Sequence, residues 1–93
     1  MPVPILVAVT FLAAAAAPLV ERDVPIPMRD GVVLRADVWR PAAGGRFPVL
    51  VYRTPYDRRH AQGEGSTVAR AAERGYAVVV QDVRGRYGSD GEF

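Results

Sequence analysis

The chain has 93 residues, a formal net charge of +2 and no cysteine. That length allows one small domain at most, and the missing thiols exclude a disulfide framework and any thiolate metal site. All twelve basic residues are arginines, scattered along the chain. They form no basic stripe, so no nucleic-acid partner is expected.

Met1 to Val20 carries no charge. Ile5 to Leu12 is apolar except for Thr10, and Ala13 to Ala17 is an alanine run. An apolar core followed by small residues resembles a secretory signal peptide, with cleavage after Ala16 and a secreted or periplasmic destination. Pro2 and Pro4 stand where a positive flank is usual. The rival reading is a membrane anchor, because about twenty uncharged residues reach across a bilayer. Membrane association is expected only if this segment stays uncleaved. A mis-chosen start codon is a third reading. The folded portion is then residues 21–93, on the order of 70 residues, which is marginal for a free-standing core.

Glu21 to Arg40 reads as a β-hairpin. Val24, Ile26 and Met28 alternate with Asp23, Pro25 and Pro27; Val32, Leu34, Ala36 and Val38 alternate with Val33, Arg35, Asp37 and Trp39. Asp30-Gly31 between the runs is a strong turn signal. Pro25 and Pro27 place their missing N–H groups on one side, which makes the first strand a sheet edge. Pro41 to Arg46 is a short Gly/Ala linker.

Phe47 to Tyr52 and Tyr76 to Val80 are nearly unbroken apolar runs. Such runs suit strands buried on both faces of a parallel sheet. Between them lies a polar loop, Thr54 to Gly65, longer than a usual strand-to-helix connection. Ser66 or Thr67 then caps a short helix carrying Val68, Ala69, Ala71 and Ala72, and Gly75 ends it. Strand, helix and strand make a βαβ unit. Both strands point the same way, and open α/β sheets take ligands outside the carboxyl ends of their strands. Two segments leave that edge: Arg53 to Arg59 and Asp82 to Gly91.

Neither serine fits the G-x-S-x-G elbow that a strained strand-to-helix turn requires. Ser66 is flanked by Glu64 and Val68, and Ser89 by Tyr87 and Gly91. Ser66 is better read as a helix cap and Ser89 as a turn residue. His60, the single histidine, sits in a loop beside two arginines, with no partner placed to orient it. Gly63-Glu64-Gly65 precedes a helix but lacks the third glycine of a dinucleotide fingerprint and any Gly-Lys pair. Asp82, Asp90 and Glu92 do not match a calcium loop; carboxylates in Gly-rich turns are normally turn formers. No metal and no cofactor is expected. Tyr56 follows Pro55 on the ligand edge. A phenol is a neutral donor able to stabilise a developing oxyanion. From position alone, a Tyr packed over the strand end is the preferred reading.

Three stretches together are more specific. Met28-Arg29-Asp30-Gly31 through Arg40-Pro41, then Pro48 to Tyr56 ending in Arg-Thr-Pro-Tyr, then Arg74-Gly75-Tyr76 through Gln81-Asp82-Val83-Arg84-Gly85 to Phe93 resemble the start of the Xaa-Pro dipeptidyl-peptidase and cocaine-esterase-like hydrolases (CocE/NonD). That family includes α-amino-acid ester hydrolases and glutaryl acylases. The resemblance covers Asp23 to Phe93. It implies the N-terminal part of an α/β-hydrolase fold, with strands at 22–28, 32–39, 47–53 and 76–82. It also implies that Tyr56 donates to the oxyanion during ester or amide hydrolysis, which reverses the reading from position. Asp82 and Arg84 are then structural neighbours of the site, close enough in the chain to be able to pair there. The family's serine nucleophile and its Asp and His follow this region, so the 93-mer alone is expected to hydrolyse nothing. The partner implied is a small-molecule ester or amide, or a peptide, for the full-length parent. The alternative is a small secreted or membrane-attached binding module that keeps a hydrolase-like half-sheet.

Overall fold

A computed structural model describes residues 17–93. The expected signal segment lies outside the described residues up to position 16. Strand β1 spans Leu19–Pro27 and β2 spans Val33–Arg40. They pair antiparallel, Ile26 opposite Leu34, across the Asp30-Gly31 turn. Gly31 has a positive φ of 83°, and Asp30 Oδ1 accepts from the Val32 N–H at 3.1 Å. The side chain thus completes the turn its residue type favours.

Strand β3 (Val49–Thr54), helix α1 (Thr67–Glu73) and strand β4 (Ala77–Asp82) form the βαβ unit, with β3 and β4 parallel and adjacent. The Ser66 side chain caps α1 by accepting from the Ala69 N–H, and Gly75 takes φ 98° just past its end. The sheet order is β1-β2-β4-β3. Among the described residues β1 is an edge, as Pro25 and Pro27 require. The fold is therefore α/β, a mixed sheet that opens as a hairpin and continues as a parallel pair.

Register decides what shares a face. Trp39 lies opposite Val78, Asp37 opposite Val80, and Leu50, Tyr52 and Thr54 opposite Val78, Val80 and Asp82. These side chains face α1. Val68, Val78 and Val80 form the core, with Trp39, Ala61 and Ala71 packed against it. Val80 is fully buried, which stabilises the fold by about 1.5–3 kcal/mol relative to an exposed valine.

One expectation fails here: β3 is not buried on both faces, for Val49, Leu50, Val51 and Tyr52 are 45–58% exposed. Strand β3 is the other edge of the described sheet, and α1 reaches over β4 and β2 instead. By alternation Asp37 shares a face of β2 with Arg35 and Trp39. It is 1% exposed, because that face is the one the helix layer covers.

Candidate functional site

The carboxyl ends of β3 and β4 carry the two segments singled out by topology. At the end of β3, Thr54 is buried; its Oγ1 accepts from the Tyr56 N–H at 3.0 Å, and its carbonyl accepts from the Val83 N–H at 3.1 Å. The strand end is thereby tied both to its own loop and to the segment leaving β4. Tyr56 stands clear of the strand end, 77% exposed.

The next two residues turn inward. Asp57 has φ 78° and caps a 3-10 turn, Arg58–Ala61, by accepting from the Arg59 N–H. The Arg59 guanidinium also binds the Asp57 carboxylate, with Nη2 to Oδ2 at 2.8 Å. That pairing holds the Asp57 carboxyl at about 2, below its ordinary value of 3.8.

Arg58 is buried beneath the loop, 5% exposed. Its backbone N–H donates to Asp82 Oδ1 at 2.7 Å, and its Nη1 donates to Asp82 Oδ2 at 2.5 Å. Its Nε donates to Asp37 Oδ1 at 3.1 Å, and Nη2 donates to Asp23 Oδ1. One guanidinium therefore gathers three carboxylates from β1, β2 and β4, a use suited to its planar fork of donors. Burial works against the Arg58 charge, but Asp82 and Asp37 outweigh it and raise the Arg58 pKa.

Gln62 completes the cluster. Its Nε2 donates to Asp37 Oδ2 at 2.8 Å and to the Arg58 carbonyl at 2.9 Å. Its Oε1 accepts from Trp39 Nε1 at 2.6 Å and from Arg22 Nη1 at 2.5 Å. The Asp23 N–H donates to Asp37 Oδ1 from an irregularity in β1 between Glu21 and Val24. Burial pushes the Asp37 carboxyl up, yet the donors from Asp23, Gln62, Arg58 and Arg22 together bring it below the ordinary carboxylate value. Among the described residues no buried side-chain polar atom lacks a partner, as a low-dielectric network requires.

Asp82 is fully buried, but its partner is Arg58 and not Arg84. Arg84 instead pairs with Asp30 in the hairpin turn, Nη1 to Oδ2 at 2.8 Å. The reason is directional. The Asp82 side chain lies on the helix side with Asp37, whereas Arg84, past the strand end, lies on the far side beside Ile26, Met28 and Leu34. The Arg84 pair lowers the Asp30 pKa.

Ser89 is more than a turn residue. It is 6% exposed; its Oγ accepts from the Arg35 N–H at 2.8 Å and donates to the Asp82 carbonyl at 2.7 Å. It thus fastens the glycine-rich tail across β2 and β4. His60 is exposed. Ser66, Ser89 and His60 form no nucleophile–base pair. Asp82, Asp90 and Glu92 are not brought together, and among the described residues no group of three His, Cys, Asp or Glu side chains is placed to hold a metal.

This edge can present a phenol from a rigidly seated loop. Residues 30–93 match the family model of the X-Pro dipeptidyl-peptidases (S15 family). The chain belongs to that family. The match includes Asp37, Tyr56, Arg58, Asp82 and Arg84. The chain is similar to the cocaine esterase of Rhodococcus sp. (strain MB1 Bresler), 44% identical over 77 residues, which is 80% of this chain and 13% of that protein. Its fold is similar to a solved α-amino acid ester hydrolase, with TM-score 0.71 and 33% identity over 99% of this chain and 17% of the other. It is also similar to an aminopeptidase from a marine sediment Thaumarchaeota archaeon, with TM-score 0.68 and 32% identity over 83% and 14% of the two chains. This member of the S15 family thus spans less than a fifth of the length of these relatives. All three carry enzyme names, and the binding-module alternative draws no support from them.

Proposed function

We propose that the chain supplies the N-terminal part of a serine acyl hydrolase, acting on an ester, an amide or an Xaa-Pro peptide, and that Tyr56 is its oxyanion donor. One observation carries the reading. At the ligand edge of the sheet, an exposed phenol sits on a backbone anchored two residues before it by Thr54 and two residues after it by Asp82. A donor that is already in place when charge develops on a carbonyl oxygen stabilises the transition state without reorganising. The nucleophile, acid and base of this reading come from polypeptide following this region. Ser66 and Ser89 are committed to helix capping and to fastening the tail. The export reading of the N-terminus belongs to the same proposal, and the mature exported protein would begin at Ala17.

The test is a chimera in which this chain's residues replace the aligned stretch of the 44%-identical esterase. With an activated ester, Tyr56→Phe is expected to lower kcat by about 10²–10³-fold, the usual effect of deleting one oxyanion donor, with KM little changed. A kcat within about threefold of the parent chimera would reject the role of Tyr56.

A further inference from the structure

Among the described residues three non-glycine positions have positive φ: Asp23 at 52°, Asp57 at 78° and Tyr87 at 48°. All three converge on one side chain. Asp23 is an ion-pair partner of Arg58, Asp57 precedes it, and Tyr87 precedes Gly88, where a Cβ would run into Arg58 Nη1. Backbone conformations of this kind persist only where the surroundings over-determine them, and they concentrate at functional sites. Here they surround a buried guanidinium, not the exposed phenol. A buried arginine gripped by carboxylates from three strands is a demanding device for merely closing a loop.

We infer that Arg58 is a positioning residue for Tyr56. Its backbone N–H and its guanidinium both bind Asp82, which fixes the chain two residues beyond the phenol. Asp37 fixes the guanidinium from β2 at 3.1 Å. Gly88 leaves the space that the guanidinium occupies and donates its N–H to Asp82 Oδ2 at 3.1 Å. Thr54 holds the near side of the loop. Arg58 itself is buried, so its effect on chemistry passes through the placement of Tyr56. The inference rests on the oxyanion reading only for its catalytic consequence; the placement of the loop is a separate claim.

Two variants test it. Arg58→Lys keeps the charge but loses the fork that spans Asp37 and Asp82. Gly88→Ala keeps Arg58 and displaces its guanidinium. Amide hydrogen exchange in the 93-residue chain is the first readout. Both variants are expected to speed exchange at Tyr56 and Arg58 at least about tenfold, while the β4 amides Val78 and Val80 stay within about twofold. If Arg58→Lys does not fold, Gly88→Ala decides alone. Unchanged exchange at Tyr56 and Arg58, or a uniform rise across the sheet, overturns the inference. In the esterase chimera both variants are expected to lower kcat by roughly 10- to 100-fold per titrated active site, with KM held. A loss of active sites with normal kcat in those remaining would mark a purely structural role and overturn it. Full activity in Tyr56→Phe would instead reject the oxyanion reading while leaving the exchange result standing.

Discussion

Replacing Arg58 with methionine removes the one cation among the described residues that touches both Asp37 and Asp82. Those side chains are 2% and 0% exposed. Arg22 still reaches Asp37 at 3.1 Å, but among the described residues Asp82 pairs with no other cation, and deleting one partner of a buried pair costs about 3–5 kcal/mol. The third carboxylate, Asp23, is 74% exposed and adds little. A unit this size is expected to have about 4–12 kcal/mol of total stability, so the loss is a large share of it. The assay is urea unfolding of the chain followed by Trp39 emission. Trp39 is the only tryptophan, and its Nε1 is bonded to Gln62 within the cluster. Arg58→Met is expected to lower the unfolding free energy by about 3–5 kcal/mol. Adding Asp37→Asn and Asp82→Asn is expected to restore at least about 1 kcal/mol, because neutral amides need no counter-charge. An Arg58→Met chain within about 1 kcal/mol of the parent would refute the reasoning that the cluster is a buried, mutually dependent network.

Ser89→Ala strips a partner from both the Arg35 N–H and the Asp82 carbonyl. It is expected to cost about 2–4 kcal/mol in the same titration, against near zero for an ordinary turn serine. The Asp57 carboxyl, held at about 2 against an ordinary 3.8, binds its proton more weakly folded than unfolded. Its contribution is complete above about pH 4 and is lost as pH falls toward 2. Carboxyl ¹³C titration is expected to show Asp57 protonating near pH 2, and Asp57→Asn to flatten the stability profile across that window; titration near 3.8 would count against the Arg59 pairing.

The hairpin, the parallel pair and the cap at Ser66 were legible because each rests on local chemistry. Asp-Gly turns a chain, paired prolines refuse a ladder, and a serine before an alanine-rich run satisfies orphan amides. The buried cluster was not legible. Asp37 belongs to a clean alternation, which says that it shares a face with Arg35 and Trp39 but not whether that face meets water. Arg58 looked like one more loop charge beside Arg59 and His60. A signal did exist: Asp37 and Asp82 fall on helix-facing strand positions, and two inward carboxylates require a cation from the only long polar loop nearby. The exposure of β3 is a matter of neighbours. An apolar run specifies a strand able to be buried on both faces, while its actual burial depends on what lies beside it. The pairing of Arg84 with Asp30 depends on how the glycine-rich tail turns after β4, a non-local outcome that spacing does not contain.

We propose that these residues open the sheet of a serine hydrolase. Sequencing the native transcript through and past codon 93 tests it most directly. The frame is expected to run on, directly or after one frameshift, into a strand followed by a G-x-S elbow. A genuine stop immediately after Phe93 would contradict it.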